Sequence, residues 1–346
     1  MKCFPATLYF ALIFLTSFSQ MAPERNHQIS IPPNRLAELD AYAKSTPKNV
    51  ESDCQTLAAY LIEPATNESE KARLIFSWIA FHIKYDAKSF NSGNYGDMSA
   101  RGVLKSRLGV CEGFANLFKA LCEAGGLECA FISGYSKGYG YRPKQKFNKP
   151  GHAWNAVKAD GHWYLMDATW GQGYGDSRNG RLVVRVRFDD YWFAPPSREF
   201  IFTHLPEDPA WQLLEDPISM EQFEQMPYID PLLFYYGFNT EAIYTQVMDK
   251  NKASFVEVFG IDNPVEVITA PLNGKLRKGA PFTCTLRSEN GIEVVALNSN
   301  KRTMFQQQGN LFTVTFTPES GDLYIGMKFS TKEKDYQIML KYMVMR

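Results

Sequence analysis

The sequence has no excess of charge of either sign. Lysine and arginine together number 37, and so do aspartate and glutamate. A nucleic-acid-binding domain usually carries a clustered basic surface, of which this composition gives no sign. Runs of like charge, which are typical of disordered interaction tails, are also missing. We therefore expect no nucleic-acid partner.

Long apolar runs are scarce as well. The pronounced run covers residues 4–18 and is short for a transmembrane helix. Lys2 precedes it, and the small residues Ser17 and Ser19 stand just before Gln20. This order is typical of a secretory signal peptide cleaved after residue 19, and an uncleaved N-terminal anchor is the alternative. The sequence thus predicts a secreted or periplasmic protein with no membrane span in its mature chain.

The cysteines lack the spacing of a metal site. No CxxC pair occurs, whereas structural zinc sites commonly use such pairs. The chain has six cysteines, and loss of Cys3 with the signal peptide would leave five. An exported protein can form disulfides, but an odd number of cysteines leaves at least one free thiol. No loop rich in Asp and Asn offers a calcium site, so we expect neither a metal nor a cofactor.

Hydrophobic periodicity predicts helices in the first part of the chain. Asn67 followed by Glu70 resembles a capping box, ahead of a helix whose apolar residues recur at helical spacing. His82 lies on that apolar face, and we interpret it as a hydrogen-bonded core or rim histidine rather than a catalyst. Residues 86–98 are rich in Ser, Asn and Gly and predict a loop at the rim of a cleft. Further helices are predicted over residues 34–44, 52–61, 99–108, 111–124 and 219–226.

The pattern changes to that of strands after residue 126. Residues 136–150 form a long loop before His152, and loops of that length in compact domains are often functional. From about residue 265 onward, short alternating stretches separated by turns indicate a β-sandwich. Asn290 and Gly291 predict a hairpin turn between two of these strands. Earlier strands are predicted over residues 127–135, 153–157, 163–168 and 182–187.

Cys111 stands where a reactive thiol is expected. It opens the predicted helix of residues 111–124, and a helix N-terminus stabilises the thiolate, which is the nucleophilic form of cysteine. The free backbone N–H groups of the first turn can also stabilise an oxyanion. Gly113 keeps the surface beside the sulfur open. Cys122 and Cys129 lie in apolar segments and are interpreted as small buried residues.

A predicted hairpin brings His152 and Asp167 together. Asp160 and Gly161 are a strong two-residue turn signal between two strands. The turn pairs the residues that flank it and fixes every pair further out. His152 and Asp167 then project from the same face as diagonal neighbours, roughly 7 Å apart at the backbone. A three-residue turn would shift the register by one residue and place them on opposite faces.

Cys111, His152 and Asp167 together supply a nucleophile, a base and an orienting group. His152 would deprotonate Cys111 or pair with its thiolate, and Asp167 would fix the imidazole. One such residue alone carries no information, and coincidence is the competing interpretation. Trp154 and Trp170 flank the motif residues and are interpreted either as core or as the wall of a substrate-binding pocket.

The segments around these residues resemble the motifs of the transglutaminase-like superfamily, which has a papain-like Cys-His-Asp fold. The matching blocks are GVCEGFA at 109–115, GHAWN at 151–155 and WYLMDATW at 163–170. The likeness continues through residues 204–214, and this segment with a β-domain after it resembles the kyphoscoliosis-peptidase branch. By this resemblance Cys111 is the nucleophile, His152 the base and Asp167 the orienting residue.

The resemblance implies several possible activities. Members of the superfamily cross-link proteins, cleave peptides, hydrolyse glycan-bearing amides or serve as inactive scaffolds. They usually use an upstream side chain as an oxyanion donor, for which Tyr85 is the candidate here. All three motif residues are present, which disfavours an inactive scaffold.

We predict an α+β protein with a papain-like transglutaminase core, in which helices pack on an antiparallel sheet, followed by a C-terminal immunoglobulin-like sandwich. The expected function is thiol-dependent acyl transfer on amide bonds of a protein or peptide substrate. Hydrolysis is favoured because water is always available and no amine site is evident. Protein cross-linking and non-catalytic binding are the alternatives. The predicted divisions are a signal peptide (1–19), a leader and helix (20–50), a catalytic domain (51–227), a helical linker (228–260) and a β-sandwich (261–346).

Overall fold

The computed structural model describes residues 28–249 and 254–346. The signal peptide predicted for residues 1–19 therefore lies outside the described residues. Among the residues described, no helix combines the length and the apolar character needed to cross a membrane. The chain has an α+β fold, as predicted, with most long helices preceding the main sheets.

The N-terminal part of the described chain is largely helical. Polar side chains at the N-caps start several helices: Asp53, Asn67, Asp86, Ser99 and Asp167 each accept a hydrogen bond from a backbone N–H of the first turn. The helices are α1 (Pro33–Lys44), α2 (Cys54–Leu61), α3 (Glu68–His82), α4 (Ala87–Ser92), α5 (Ala100–Ser106), α6 (Cys111–Ala124), α7 (Ala168–Gln172), α8 (Ser197–Phe200), α9 (Met220–Gln225), α10 (Leu232–Tyr235) and α11 (Thr240–Met248).

The strands form a central sheet, two short pairs and two C-terminal sheets. Those before residue 210 are β1 (Lys84–Tyr85), β2 (Leu108–Gly109), β3 (Glu128–Ser136), β4 (His152–Ala159), β5 (His162–Met166), β6 (Gly173–Arg178), β7 (Arg181–Val186) and β8 (His204–Pro206). Those after it are β9 (Glu257–Val258), β10 (Glu266–Thr269), β11 (Lys275–Leu276), β12 (Phe282–Arg287), β13 (Glu293–Asn298), β14 (Lys301–Met304), β15 (Gln306–Gln308), β16 (Leu311–Phe316), β17 (Gly321–Lys328) and β18 (Gln337–Val344).

The central sheet has the strand order β5-β4-β3-β8, and every pair in it is antiparallel. Helix α6 packs on β3 and β4. Asn155 on β4 joins the two layers, since its side-chain amide donates to the backbone oxygens of Ala115 and Ala130, both at 3.1 Å. This contact fixes the helix that begins at Cys111 relative to the strand that begins at His152.

The β4–β5 hairpin has the predicted register. Ala159 pairs with His162, and pairing continues to Asn155 and Met166. Asp160 and Gly161 have φ values of 52° and 88°, as a two-residue turn of this hand requires. The Asp160 carboxylate also accepts hydrogen bonds from the first residues of α3, so the turn anchors the hairpin to the helical layer.

Two local predictions need correction. The loop predicted over residues 86–98 contains α4, because Asp86 caps a helical turn there. The capping box predicted at α3 is only half formed. The Asn67 side chain accepts from the Glu70 N–H at 2.9 Å. The Glu70 carboxylate turns instead to Arg35 and to the Thr66 N–H.

The C-terminal part is β-rich and consists of two sheets. One has the order β10-β12-β16-β15, and the other β11-β18-β17-β13-β14 with β9 beside β18. Pairing is antiparallel except between β11 and β18. The hairpin predicted at Asn290 and Gly291 is wrong, because β12 pairs with β10 and β16 whereas β13 belongs to the other sheet. The turn carries the chain from one sheet to the other.

The buried apolar side chains form two clusters. The first is built by the helices and the central sheet, with Trp78 and Phe118 among its fully buried members. The second combines both C-terminal sheets with upstream residues, including Phe202 and Phe223. The domain boundary predicted at residue 227 falls within the span of this second cluster, and the division of the chain stays a prediction.

Candidate active site

Cys111 is the first residue of α6, as the sequence predicts. It is half-buried, and the residue at the N-cap, Val110, contributes no side-chain hydrogen bond to the first turn. Tyr85 on β1 pairs with Gly109 on β2, two residues before the cysteine. A helix start that is not capped by a side chain leaves its N–H groups available to an anion.

The structure brings His152 and Asp167 together. Nε2 of His152 lies 2.7 Å from Oδ2 of Asp167, and both side chains are buried. His152 is the first residue of β4, and Asp167 follows the last residue of β5 and caps α7. The hairpin therefore delivers both groups to one end of the central sheet.

Asp167 holds more partners than the sequence predicts. Its Oδ1 accepts the backbone N–H groups of Thr169 and Trp170 at 2.8 and 3.0 Å. Its Oδ2 accepts His152 and also Nε2 of His204, the latter at 3.1 Å. Four donors thus hold one fully buried carboxylate, which satisfies the charge without a solvent contact.

The electrostatics of the site separate the two histidines. Burial lowers the pKa of His152, but Asp167 and then Cys111 outweigh it and raise that pKa to about 10. The same partnership holds the pKa of Asp167 well below its usual range despite burial. Burial lowers the pKa of His204 to about 4, although Asp167 opposes this. Near neutral pH, His152 is thus an imidazolium, Asp167 a carboxylate and His204 a neutral donor.

Sequence reasoning missed His204. The residue stands on β8, which pairs with β3 on the side of the sheet away from β5. A three-residue strand carries no usable periodicity, and the contact spans 37 positions of the chain. The signal that could have found it is the histidine at the start of the 204–214 segment, which the family resemblance includes.

The three predicted substrate-binding residues differ in their surroundings. Trp154 is only 1% exposed and lies in the first core, with its ring centroid 5.9 Å from that of His152, so it is a core residue and not the wall of a pocket. Trp170 is half-buried, with its ring centroid 5.5 Å from that of His152. Tyr85 is half-buried, and burial followed by Cys111 raises its pKa, so its hydroxyl keeps the proton. Trp170 and Tyr85 stay candidates for contact with a substrate.

Phe90, Tyr139 and Trp170 form an aromatic group beside Tyr85, called the aromatic rim. The Tyr85 ring lies 6.1 Å from Phe90, and Phe90 lies 6.2 Å from Tyr139. The neighbouring Gly138 packs on the indole of Trp170 so closely that a Cβ would come within 2.7 Å. Phe90 and Tyr139 are 38% and 41% exposed. These two members of the aromatic rim are therefore accessible to solvent.

The loop of residues 137–150 is tied to α9 and the residue that follows it. The carboxylate of Glu224 accepts Nζ of Lys146 at 2.5 Å and the N–H of Phe147 at 2.8 Å. Nζ of the buried Lys137 donates to the backbone oxygen of Met226 at 3.0 Å, and burial lowers the pKa of this amine to about 8. These contacts hold both ends of the loop, so Tyr139 projects from a braced segment.

Other residues singled out by the sequence have structural roles. Nε2 of the half-buried His82 lies 3.1 Å from the backbone oxygen of Ala43, as expected of a hydrogen-bonded core or rim histidine. The five cysteines within the described ranges are all free thiols. The side chains of His152, Asp167 and His204 meet the spacing of metal ligands, but both Nε2 atoms already bond to the carboxylate.

Comparisons with known proteins agree with the motifs. Residues 55–168 match the profile of the transglutaminase-like superfamily, and Cys111, His152 and Asp167 lie within the match. The chain contains a transglutaminase-like domain. The match to the superfamily profile ends at residue 168 and does not include His204.

The transglutaminase-like domain has curated relatives in animals. Kyphoscoliosis peptidase of Mus musculus is 35% identical over 196 residues, which are 56% of this chain and 29% of that protein. Hillarin of Drosophila melanogaster is 34% identical over 222 residues, which are 61% of this chain and 27% of that protein. The chain thus spans less than a third of the length of either relative.

A solved structure described as a TGase is 19% identical to this chain. The alignment of the two covers 49% of this chain and 40% of that chain, with a TM-score of 0.28.

Proposed function

We propose that this chain is a thiol-dependent acyl-transfer enzyme that hydrolyses amide bonds of proteins or peptides. The observation that supports this most strongly is the thiol at the first turn of α6 together with an imidazole bonded to a buried carboxylate. This combination activates a thiol for attack on an acyl carbon. The relatives named kyphoscoliosis peptidase favour peptide hydrolysis as the reaction.

In the proposed first step, the Cys111 thiolate attacks the carbonyl carbon of the substrate amide. A C–S bond forms, and the carbonyl π electrons move to oxygen. Backbone N–H groups of the first turn of α6 and the hydroxyl of Tyr85 are the donors available to this oxyanion. His152 gives its proton to the departing amine as the C–N bond breaks, which leaves a thioester on Cys111.

In the proposed second step, water attacks the thioester. His152, now neutral, takes a proton from the water as the C–O bond forms. The tetrahedral intermediate then expels the Cys111 thiolate and releases the carboxylic acid. The bond to Asp167 keeps the His152 ring in place through both proton transfers.

The proposed substrate is a polypeptide with a large apolar side chain near the cleaved amide. The aromatic rim of Phe90, Tyr139 and Trp170 would bind such a side chain through apolar and ring contacts. Tyr85 lies between this rim and the segment that leads into Cys111, where its hydroxyl could donate to the oxyanion.

The test is a proteome-derived peptide mixture incubated with wild type, Cys111→Ala and the control Cys129→Ala. We expect wild type and Cys129→Ala to generate new peptide termini that Cys111→Ala does not. If isopeptide cross-links or deamidated glutamines form without new termini, the reaction is that of a transglutaminase and not peptide hydrolysis. If no change depends on Cys111, the binding-scaffold alternative replaces the enzyme.

Export and an immunoglobulin-like topology of the C-terminal sheets also belong to this proposal. The apolar run at residues 4–18 supports a signal peptide. N-terminal sequencing of the protein recovered outside the cytoplasm should begin at Gln20. Recovery of the full chain inside the cell would contradict export.

A further inference from the structure

We propose that His204 is a positioning residue for acyl transfer, because it donates to the same carboxylate oxygen of Asp167 that binds His152. This inference rests on the proposed function. His204 has no part in the thiol–imidazole–carboxylate trio, and it does not contact the substrate in the proposed reaction. Its role is to fix Asp167 and to moderate the hold of Asp167 on His152.

The geometry leaves the carboxylate no freedom to rotate. Oδ2 receives His152 at 2.7 Å and His204 at 3.1 Å. Oδ1 receives two backbone N–H groups from the start of α7. Without His204, one acceptor site on Oδ2 would face apolar rings, and the carboxylate would be held to β8 by no hydrogen bond.

His204 is built into an aromatic enclosure. Its ring centroid lies 4.0 Å from Phe200, 4.4 Å from Trp170 and 5.0 Å from Trp154. The side chain is fully buried. An apolar residue would satisfy this enclosure at lower desolvation cost, so the imidazole is explained by its hydrogen bonds rather than by packing.

The bond to Asp167 requires a donor at Nε2 of His204, because an ionised carboxylate can only accept. A neutral ring then accepts at Nδ1. The hydroxyl of Thr203 lies 2.8 Å from this nitrogen and 3.2 Å from the backbone oxygen of Phe200, and its single hydrogen can serve either acceptor. Burial keeps the pKa of His204 low, at about 4, so the donor adds no second positive charge beside the imidazolium of His152.

Among the described residues, Cys111 on α6 and Tyr85 on β1 are the other ionisable groups that interact with this pair. Further out, Glu199 on α8 is bonded to Tyr191 and Thr240. The amine of Lys137 bonds to a backbone oxygen of residue 226. These groups are unchanged in the variants compared below, so a shift in pH profile reports on His204.

The consequence is a change in the pH range of the reactive pair. A donor on Oδ2 takes up part of the acceptor strength of Asp167, which weakens its stabilisation of the charged His152. Loss of that donor should raise the pKa of His152, since a carboxylate with fewer donors holds an imidazolium more tightly. One hydrogen bond to a charged group corresponds to about one pH unit.

The experiment measures the rate of Cys111 alkylation by iodoacetamide against pH, with site-resolved mass spectrometry. We expect His204→Leu to move the alkaline inflection of the profile, at which His152 loses its proton, upward by about one pH unit. The variant His204→Gln, which keeps a side-chain N–H donor, should move it less. Phe200→Leu disturbs the same enclosure but keeps the hydrogen bond, so it should lower stability without moving the profile.

Separate outcomes decide the two proposals. If wild-type alkylation of Cys111 does not depend on His152, the proposed function fails. If it does depend on His152 but His204→Leu and Phe200→Leu have the wild-type profile, only the role of His204 fails.

A second measurement needs no variant and covers the case in which His204→Leu does not fold. The ¹⁵N chemical shifts of the histidine rings in the intact protein should show His204 neutral and protonated at Nε2 from about pH 5 to 9. An Nδ1-protonated ring would overturn the inference, because it could not donate to Asp167.

Discussion

The carboxylate of Asp167 is a single residue's side chain that joins three separate parts of the chain. Its partners come from β4, the start of α7 and β8. A charged group this deep in the protein is stabilised only by such partners. The residue therefore matters for both stability and reactivity, and these two effects can be measured separately.

Asp167→Asn should impair both properties. The amide has one acceptor oxygen where the carboxylate has two, so the histidines and the α7 N–H groups cannot all be satisfied. We expect an unfolding free energy lower by about 3–5 kcal/mol and alkylation of Cys111 slower by about 100-fold. Denaturant titration and labelling kinetics check these values.

The control is Asp176→Asn on β6. Asp176 pairs with Arg185 on an exposed hairpin, and surface pairs contribute about 0–1 kcal/mol. An equal effect of both substitutions would contradict the role given to Asp167.

The raised pKa of His152 predicts how stability depends on pH. A group whose pKa is higher in the folded state contributes stability that is complete below its unfolded pKa, near 6.5. The contribution then declines as pH rises and is gone above about 10. The difference in melting temperature between wild type and His152→Gln should therefore shrink from pH 6.5 to pH 10. A difference that grows with pH would contradict the assigned charge state.

At the scale of elements, the close packing of β3 on β8 gives a specific prediction. A methyl group at Gly134 would collide with the backbone oxygen of Leu205 and the ring of Trp154. Gly134→Ala should therefore displace β8 and destabilise the protein by about 1–3 kcal/mol. The matched control is Gly151→Ala, since Gly151 bonds to the oxygen of Gly134 but has open space at its Cβ. Thermal unfolding that ranks the two variants in the opposite order would contradict this packing.

The sequence predicts some elements better than others for physical reasons. The β4–β5 register follows from the two-residue turn at Asp160 and Gly161, because turn geometry is local. The same reasoning fails at Asn290 and Gly291. The alternation of apolar and polar residues identifies the buried face of a strand but not the strand with which it pairs. In the structure, β12 and β13 lie in different sheets. His204 was missed because its contact with Asp167 depends on the pairing of β8 with β3, which no local pattern encodes.

At the scale of the whole molecule, the second core joins the helical region to the C-terminal sheets. Phe202 and Phe223 share this cluster with residues of β12 and β17. The N–H of Val267 on β10 donates to the oxygen of Tyr236 at 2.7 Å. We expect the segment that follows residue 200 to unfold in the same calorimetric transition as the C-terminal sheets. A separate transition for the C-terminal sheets would contradict this shared core.

The reactivity of the Cys111 thiol decides whether this protein is a thiol-dependent enzyme. The measurement is the site-resolved alkylation rate of every cysteine near pH 7, in wild type and in His152→Gln. We expect Cys111 to react at least about 100-fold faster than the half-buried Cys54 and Cys129, and we expect His152→Gln to remove this advantage. Equal rates at the three cysteines, or an advantage that persists without His152, would contradict it.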